Sequence, residues 1–146
     1  MNTLFISSLL TVIQYVLLIW LFIINGLILR EPMLIIVQLL GVVFGLWAIF
    51  EMRKSKLNIA PNVRKNAILI TSGPYRIVRN PMYLALLFFF LPTLWVNYNL
   101  QNILILTIFV TNLVIKLLYE EKLLNKSFVM YRVYKTKTWR LIPFVF

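Results

Sequence analysis

The sequence predicts an all-α integral membrane protein with four transmembrane helices. Of its 146 residues, 62% are hydrophobic, whereas an ordinary soluble domain has roughly 45–50% apolar residues. Four apolar stretches alternate with polar segments, and the basic residues are concentrated in two of those segments. A chain of this length is expected to form one domain, so we assign residues 1–146 to a single domain.

Residues 1–50 predict two N-terminal spans. Residues 4–29 carry no charge and are long enough to cross the roughly 30 Å hydrocarbon core as a helix. This run is too long for a signal peptide, and no basic residue precedes it. A turn over residues 25–33 leads into a second apolar span at residues 33–50, and Pro32 suits the first turn of that helix.

Residues 51–146 predict two further spans, separated from the first pair by a polar and basic segment. Three prolines in residues 51–81 discourage one continuous helix there. Residues 82–96 are apolar and form the third predicted span, although Pro92 interrupts them. An uncharged turn at residues 97–102 connects it to the fourth span, residues 103–118. Apolar residues also recur at helical spacing around and beyond the end of this span, which favours an amphipathic extension on the membrane surface; they are Leu117, Leu124, Phe128 and Tyr131.

The distribution of basic residues predicts the topology. Seven lysines and arginines lie in residues 51–80 and seven in residues 116–146, which accounts for 14 of the 15. Positive loops face the cytosol, so four spans place both termini in the cytosol, in an inner, plasma or endoplasmic-reticulum-type membrane. Membrane orientation therefore explains the net charge of +11, and we expect no nucleic acid partner.

The residue types that are missing exclude several chemistries. The chain has no cysteine and no histidine, so it has no disulfide, no thiolate ligand and no imidazole base. Aspartate is absent as well, and we therefore expect neither a metal site nor a histidine-dependent hydrolase. The acidic residues are four glutamates: Glu31, Glu51, Glu120 and Glu121.

A polar stretch, TSGPYRIVRNPMYLALL at residues 71–87, precedes the third span. Gly73 permits unusual backbone angles, and Pro74 fixes the next φ angle, so the stretch begins with a turn. Asn80 and Pro81 are typical of the cap and first residue of a helix.

The same stretch predicts an anion site. The free N–H groups at the start of the third span, with Arg76 and Arg79 close by, attract negative charge. Tyr75 and Tyr83 add amphipathic rings at the interface. Each feature alone is also typical of interfacial belts and of positive loops, but their clustering favours a functional site.

Glu120 and Glu121 are two adjacent acids at the end of the fourth predicted span. If the helix ended there, they would lie at the negative end of its dipole, which is unfavourable. One interpretation is that the helix continues and that Lys116 and Lys122 neutralise the pair. The other is that the pair binds a ligand with hydroxyl groups or positive charge.

The segments LITSGPYRIVRNPMY and EEKLLNKSFVMYRVYKTKTWRLIP flank a mostly apolar hairpin. The first holds Gly-x-Tyr and Arg-Asn-Pro-x-Tyr, and the second holds Glu-Glu, Tyr-x-x-Tyr and a final proline. This combination resembles the isoprenylcysteine carboxyl methyltransferase family, within the wider membrane group that includes phospholipid methyltransferases. The resemblance extends over roughly half of the chain, from residue 66 to residue 143.

The resemblance implies an S-adenosylmethionine-dependent enzyme whose cytosolic cofactor pocket is built from residues 51–146. A lipophilic acceptor would enter from the bilayer, among membrane lipids, and the implied reaction is carboxyl O-methylation of an isoprenylcysteine-like or other hydrophobic acid. Glu120 would bind ribose hydroxyls, and Lys116 would handle the substrate where eukaryotic members have an arginine. The implied cofactor-binding residues are Ala67, Ile68, Leu69, Ile70, Tyr75, Asn80, Pro81, Met82, Tyr83 and Glu120.

Three positions depart from the family pattern. Asn80 and Ala67 stand where histidines are usual, and Lys116 lacks the planar fork of arginine. The reaction class tolerates these changes, because an ionised carboxylate attacks a sulfonium methyl group without a general base.

Three alternatives remain open. The first is an N-methyltransferase whose acceptor is a phospholipid or another amine. The second is a steroid-reductase-like membrane enzyme with NADPH as cofactor. The third is a membrane scaffold subunit without catalytic activity. Gly41 and Gly45 form the small-xxx-small pattern expected of helix association in such a scaffold, although this pattern also serves internal packing.

Overall fold

The described part of the protein is built from helices. The computed structural model describes residues 3–27, 29–54 and 69–146. A one-turn 3₁₀ helix, Gly73–Arg76, precedes the third α-helix. The α-helices are α1 (Thr3–Asn25), α2 (Pro32–Arg53), α3 (Pro81–Phe90), α4 (Thr93–Val96), α5 (Leu100–Ser127) and α6 (Tyr131–Thr136).

Three of these helices, α1, α2 and α5, are long and apolar enough to cross a membrane. The predicted all-α membrane class is therefore confirmed. The third predicted span differs from the other three, because it consists of the shorter α3 and α4 with a turn at Leu91 and Pro92. Proline has no N–H group to donate, so the regular helix ends before it.

The fourth predicted span is longer than expected. We predicted its end near residue 118, but α5 continues to Ser127. Glu120 and Glu121 therefore lie inside the helix and not at the negative end of its dipole, so the predicted continuation of the helix is confirmed. The predicted neutralisation by Lys122 is wrong for Glu121, which pairs with Arg79 and Arg140 instead. Leu117 and Tyr131, expected on the membrane surface, are buried inside the protein.

Two helix pairs make most of the packing: α2 lies along α3, and α1 lies along α5. A Cβ atom on Gly41 would come within 3.0 Å of the Ala85 carbonyl oxygen, and one on Gly45 within 3.1 Å of the Ala85 Cβ. The two glycines therefore allow α2 and α3 to approach closely. The small-xxx-small pattern is used inside the protein.

Aromatic rings join three of the helices in the core. The Phe22 ring of α1 meets the Phe90 ring of α3 edge to face, with centroids 5.1 Å apart. Phe90 in turn meets Phe109 of α5 at 5.7 Å. Both Phe90 and Phe109 are fully buried. This cluster joins both α1 and α5 to α3.

A network of asparagines ties three elements together at the end of the molecule where α5 begins. Asn25, the last residue of α1, donates to the Asn102 side chain at 3.0 Å and accepts from the Asn97 side chain at 3.0 Å. The Asn99 side chain caps α5 by accepting from the Asn102 N–H at 2.8 Å. The uncharged turn predicted at residues 97–102 is thus held by amide hydrogen bonds.

Candidate functional site

At the opposite end of α5, Tyr83, Lys116 and Glu120 form a cluster. The Tyr83 hydroxyl donates to Glu120 Oε2 at 2.7 Å. The Lys116 ammonium lies 3.9 Å from Glu120 Oε1 and 5.5 Å from the centre of the Tyr83 ring. Lys116 and Glu120 are four residues apart in a helix, so they share one face. The Glu120 side chain keeps 22% of its surface exposed, whereas that of its neighbour Glu121 keeps 7%.

Glu121 does not join this cluster but binds the C-terminal tail, which is residues 128–146 after the end of α5. Its two oxygens accept hydrogen bonds from Arg79 Nε at 2.7 Å and from Arg140 Nε at 3.0 Å. The side chains of Glu121 and Arg79 are both more than nine-tenths buried. Adjacent residues of a helix point about 100° apart, and the two glutamates therefore have different partners.

The prediction that Arg79 belongs to an anion site at the start of α3 is wrong. Its guanidinium group donates to Glu121 and to the carbonyl oxygens of Lys135 and Thr138, at 3.0 and 2.7 Å. Arginine can satisfy several acceptors at once because its donors form a fixed fork. Arg79 is therefore committed to holding the tail, while Arg76 is exposed.

The tail also pairs with the backbone just before α3. Trp139 N donates to the Ile77 carbonyl at 2.9 Å, and Arg79 N donates to the Trp139 carbonyl at 2.8 Å. These two bonds form a parallel bridge between Val78 and Trp139.

Asn80 occupies the cap position of α3, as predicted, but its side chain makes no capping hydrogen bond. Its amide nitrogen donates to the Arg140 carbonyl at 2.9 Å instead. The asparagine at the family's histidine position thus fastens the tail to the start of α3. Its neighbour Pro81 is fully buried.

Tyr75 combines a held backbone with an unpartnered side chain. Its carbonyl accepts a 2.6 Å hydrogen bond from the Tyr134 hydroxyl. The Tyr75 hydroxyl is buried and has no hydrogen-bond partner within the described residues. Burial raises the pKa of Tyr75 well above its ordinary value, so the phenol stays protonated and able to donate. Such a group is suited to meeting a bound ligand.

The remaining predicted cofactor residues form a small apolar cluster with α2. Ile70 and Tyr75 are buried against Ala48 of α2, and Met82 packs against them. Leu69 is half-buried. Ala67 and Ile68, the first two residues of the predicted cofactor segment, lie outside the described residues.

Two buried polar residues of this region were not predicted. Gln14 of α1 accepts a 2.8 Å hydrogen bond from the Lys116 ammonium. Glu51, at the end of α2, accepts from Ser72 and pairs with Lys54 at 2.8 Å. Polar and ionisable residues in an apolar span usually face the protein interior, and this signal was available in the sequence for both.

Glu51 also explains the glycine of the turn before α3. Gly73 has a φ of +58°, and a Cβ atom there would lie 3.1 Å from Glu51 Cγ. Two separate reasons therefore favour glycine at this position: its positive backbone angle and the close approach of α2.

The arrangement offers a partly exposed glutamate, a buried ammonium group and aromatic rings at one end of the helices. A carboxylate accepts up to about four hydrogen bonds, so Glu120 has room for partners besides Tyr83. Lys116 supplies positive charge beside it. Together they suit a polar ligand that carries both hydroxyl groups and a charged centre.

Comparisons with curated proteins and with solved structures give no significant match, whereas comparison with known protein families does. The family model for phospholipid methyltransferases matches residues 32–130. The matched segment runs from α2 to just beyond α5 and includes Tyr75, Tyr83, Lys116 and Glu120. The resemblance to membrane methyltransferases is thus confirmed, and the chain belongs to the phospholipid methyltransferase family.

Proposed function

We propose that this protein transfers a methyl group from S-adenosylmethionine to a lipophilic acid that enters from the bilayer, an isoprenylcysteine-like or other hydrophobic carboxylate. One observation carries the proposal: Lys116 and Glu120 lie one helical turn apart around the Tyr83 side chain. The carboxylate is suited to the cofactor and the ammonium group to the acceptor. Membership of a methyltransferase family supports the reaction class.

Glu120 is the residue we assign to the cofactor. Its carboxylate can accept hydrogen bonds from ribose hydroxyls, and the Tyr83 hydroxyl holds it in one orientation. The buried, protonated Tyr75 hydroxyl provides a further donor. When bound, S-adenosylmethionine supplies a methyl group on a positively charged sulfur, and the rings of Tyr75 and Tyr83 can stabilise a cation by cation–π contact.

Lys116 is the residue we assign to the acceptor. Its ammonium group attracts the acceptor carboxylate and orients it. One carboxylate oxygen would take the methyl group, and the electron pair of the broken carbon–sulfur bond would stay with the departing sulfur. No proton moves in this step, which explains how a chain without histidine, cysteine and aspartate can perform it.

Methylation of a phospholipid amine is the second candidate. The description of the matched family favours it, and Glu120 offers negative charge to a cationic headgroup. The nitrogen of a protonated amine must lose its proton before it can take a methyl group, and Glu120 is the carboxylate of the cluster with Tyr83 and Lys116 that could accept this proton. Lys116 would repel such an acceptor.

A steroid-reductase-like enzyme and a scaffold subunit are less well supported. The family match favours methyl transfer over reduction. Gly41 and Gly45 form the pattern that favoured a scaffold, but both already pack against α3 within the protein.

Two measurements test the proposal. First, S-adenosylhomocysteine should raise the melting temperature of the purified protein, whereas NADPH should not. Second, methyl transfer is measured with S-farnesylated N-acetylcysteine as the acid and phosphatidylethanolamine as the amine. We expect transfer to the acid, and Lys116→Ala should lower it roughly tenfold to a hundredfold, the equivalent of a charged hydrogen bond.

Lys116→Arg should retain activity on the acid, since a guanidinium group binds both carboxylate oxygens. Lys122→Ala is the matched control, because Lys122 is an exposed lysine of the same helix. Full activity of Lys116→Ala on the acid would refute carboxyl methylation. Transfer to the amine alone would support the second candidate.

A further inference from the structure

Helix α1 contributes a buried polar side chain to the cluster around Glu120. Gln14 is 7% exposed and Lys116 is 8% exposed, and Gln14 Oε1 accepts a 2.8 Å hydrogen bond from the Lys116 ammonium group. The two residues are 102 positions apart in the chain. A buried ammonium group needs hydrogen-bond acceptors, and Gln14 supplies one from a different helix.

The surrounding contacts show how Gln14 is held. The Asn112 side chain, one turn before Lys116 on α5, donates to the Leu10 carbonyl at 3.3 Å, one turn before Gln14 on α1. A second polar contact between the same two helices thus accompanies the first. Helix α1 is therefore fixed against the face of α5 that carries Lys116 and Glu120.

Gln14 and Glu120 approach the ammonium group at different distances. Gln14 lies at hydrogen-bond distance, whereas Glu120 Oε1 lies at 3.9 Å, beyond the usual range for a hydrogen bond. An ammonium group has three N–H donors, and among the described residues Gln14 takes one of them. We propose that Gln14 is a positioning residue, which orients the Lys116 ammonium so that its other donors face the acceptor.

This assignment rests on the proposed role of Lys116 and extends the site beyond the segment that the family shares. The family model matches residues 32–130, so α1 lies outside it. A positioning residue on α1 makes the first helix part of the acceptor-binding region. The segment before the matched one would then influence which acceptor this protein accepts.

The test is a double-mutant cycle on acceptor kinetics. Gln14→Met keeps the length of the side chain and removes the strong acceptor. If Gln14 acts through Lys116, Gln14→Met should raise the KM for S-farnesylated N-acetylcysteine and lower kcat/KM roughly tenfold to a hundredfold. The affinity for S-adenosylmethionine, measured by calorimetry, should not change. The double variant Gln14→Met/Lys116→Met should be no less active than Lys116→Met alone.

Gln38→Met is the matched control. Gln38 is also a buried glutamine in a span, but it bonds to the Leu29 N–H and the Phe89 carbonyl. This change should lower the melting temperature and leave the acceptor KM unchanged. If Gln14→Met does not fold, Gln14→Asn replaces it, because the shorter amide keeps its polarity and no longer reaches the ammonium group.

The outcomes separate the two proposals. Losses that multiply in the double variant, or a wild-type KM in Gln14→Met, would overturn the role of Gln14 while leaving the proposed reaction intact. Absence of transfer to the acid by the wild-type protein would overturn both. Loss of cofactor affinity in Gln14→Met would show a general structural role instead of positioning.

Discussion

Glu120 and Glu121 are adjacent in the chain, yet their surroundings give them different tasks. Glu120 is partly exposed and accepts a hydrogen bond from the Tyr83 hydroxyl, while Glu121 is buried between Arg79 and Arg140. Removing one partner of such a buried ion pair lowers the stability of the fold strongly, because the other partner is left as an unpaired buried charge. We therefore expect the pair to separate into a binding residue and a structural residue.

Substitution of each glutamate by glutamine tests this separation. Glu120→Gln should weaken S-adenosylmethionine binding roughly tenfold to a hundredfold, because it removes a charge-assisted hydrogen bond, and should leave the melting temperature unchanged. Tyr83→Ala should also weaken binding. Glu121→Gln should lower the free energy of unfolding by about 3–5 kcal/mol, because Arg79 loses its buried counter-ion.

Calorimetry of the cofactor and thermal unfolding in detergent measure the two effects. Lys126→Ala, at an exposed position near the end of α5, is the control for both. Equal effects of the two glutamine variants on binding and on stability would contradict the separation.

At the level of elements, the contact between α2 and α3 depends on the absence of side-chain atoms at Gly41. Glycine inside a helix costs about 1 kcal/mol relative to alanine, so its presence there requires a compensating reason. The reason is the close approach of Ala85 and Phe88, whose atoms would lie 3.0 Å from an added Cβ. Helix α3 in turn places Tyr83 beside Glu120.

Gly41→Leu should separate α2 from α3. The extra atoms would meet backbone as well as side chain, and overpacking of this kind costs about 1–3 kcal/mol. We expect a lower melting temperature together with weaker cofactor binding, because α3 carries Tyr83. Val43→Leu, on an exposed face of the same helix, should have neither effect, and a wild-type melting temperature for Gly41→Leu would refute the close contact.

At the scale of the whole molecule, α3 and α4 extend between the same two ends as α5. Asn97, after α4, bonds to Asn25 near the beginning of α5, whereas Arg79, before α3, bonds to Glu121 near its end. Residues 81–96 form only about 24 Å of helix at 1.5 Å per residue, yet they connect these two ends. This placement is compatible with a fourth membrane crossing, which would put both termini on the same side, and the assignment of that side to the cytosol stays a prediction from the basic residues.

Cysteine labelling tests this topology on a chain that has no natural cysteine. Tyr98→Cys should react only with a reagent on the outer side, and Lys137→Cys only with a reagent on the cytosolic side. Tyr98 is 81% exposed, and it is preferable to Asn99, whose side chain caps α5. Reaction of Tyr98→Cys from the cytosolic side alone would contradict the orientation.

The apolar spans, the helix start at Pro81 and the shared face of Lys116 and Glu120 could all be predicted from the sequence. Each depends on residues close together in the chain, where composition and the helical period are informative. The length of α5 and the break at Pro92 were predicted less well, because neighbouring helices decide where an apolar helix continues.

The sequence by itself determined that this is a helical membrane protein with the residues of a membrane methyltransferase. Only the tertiary structure decided the partner of each charged side chain: Arg79 and Arg140 pair with Glu121, and Lys116 donates to Gln14. These partners come from distant segments, so no local pattern specifies them. They meet because the close packing of α1 on α5 and of the tail on α3 brings their side chains together, and this is a property of the folded chain.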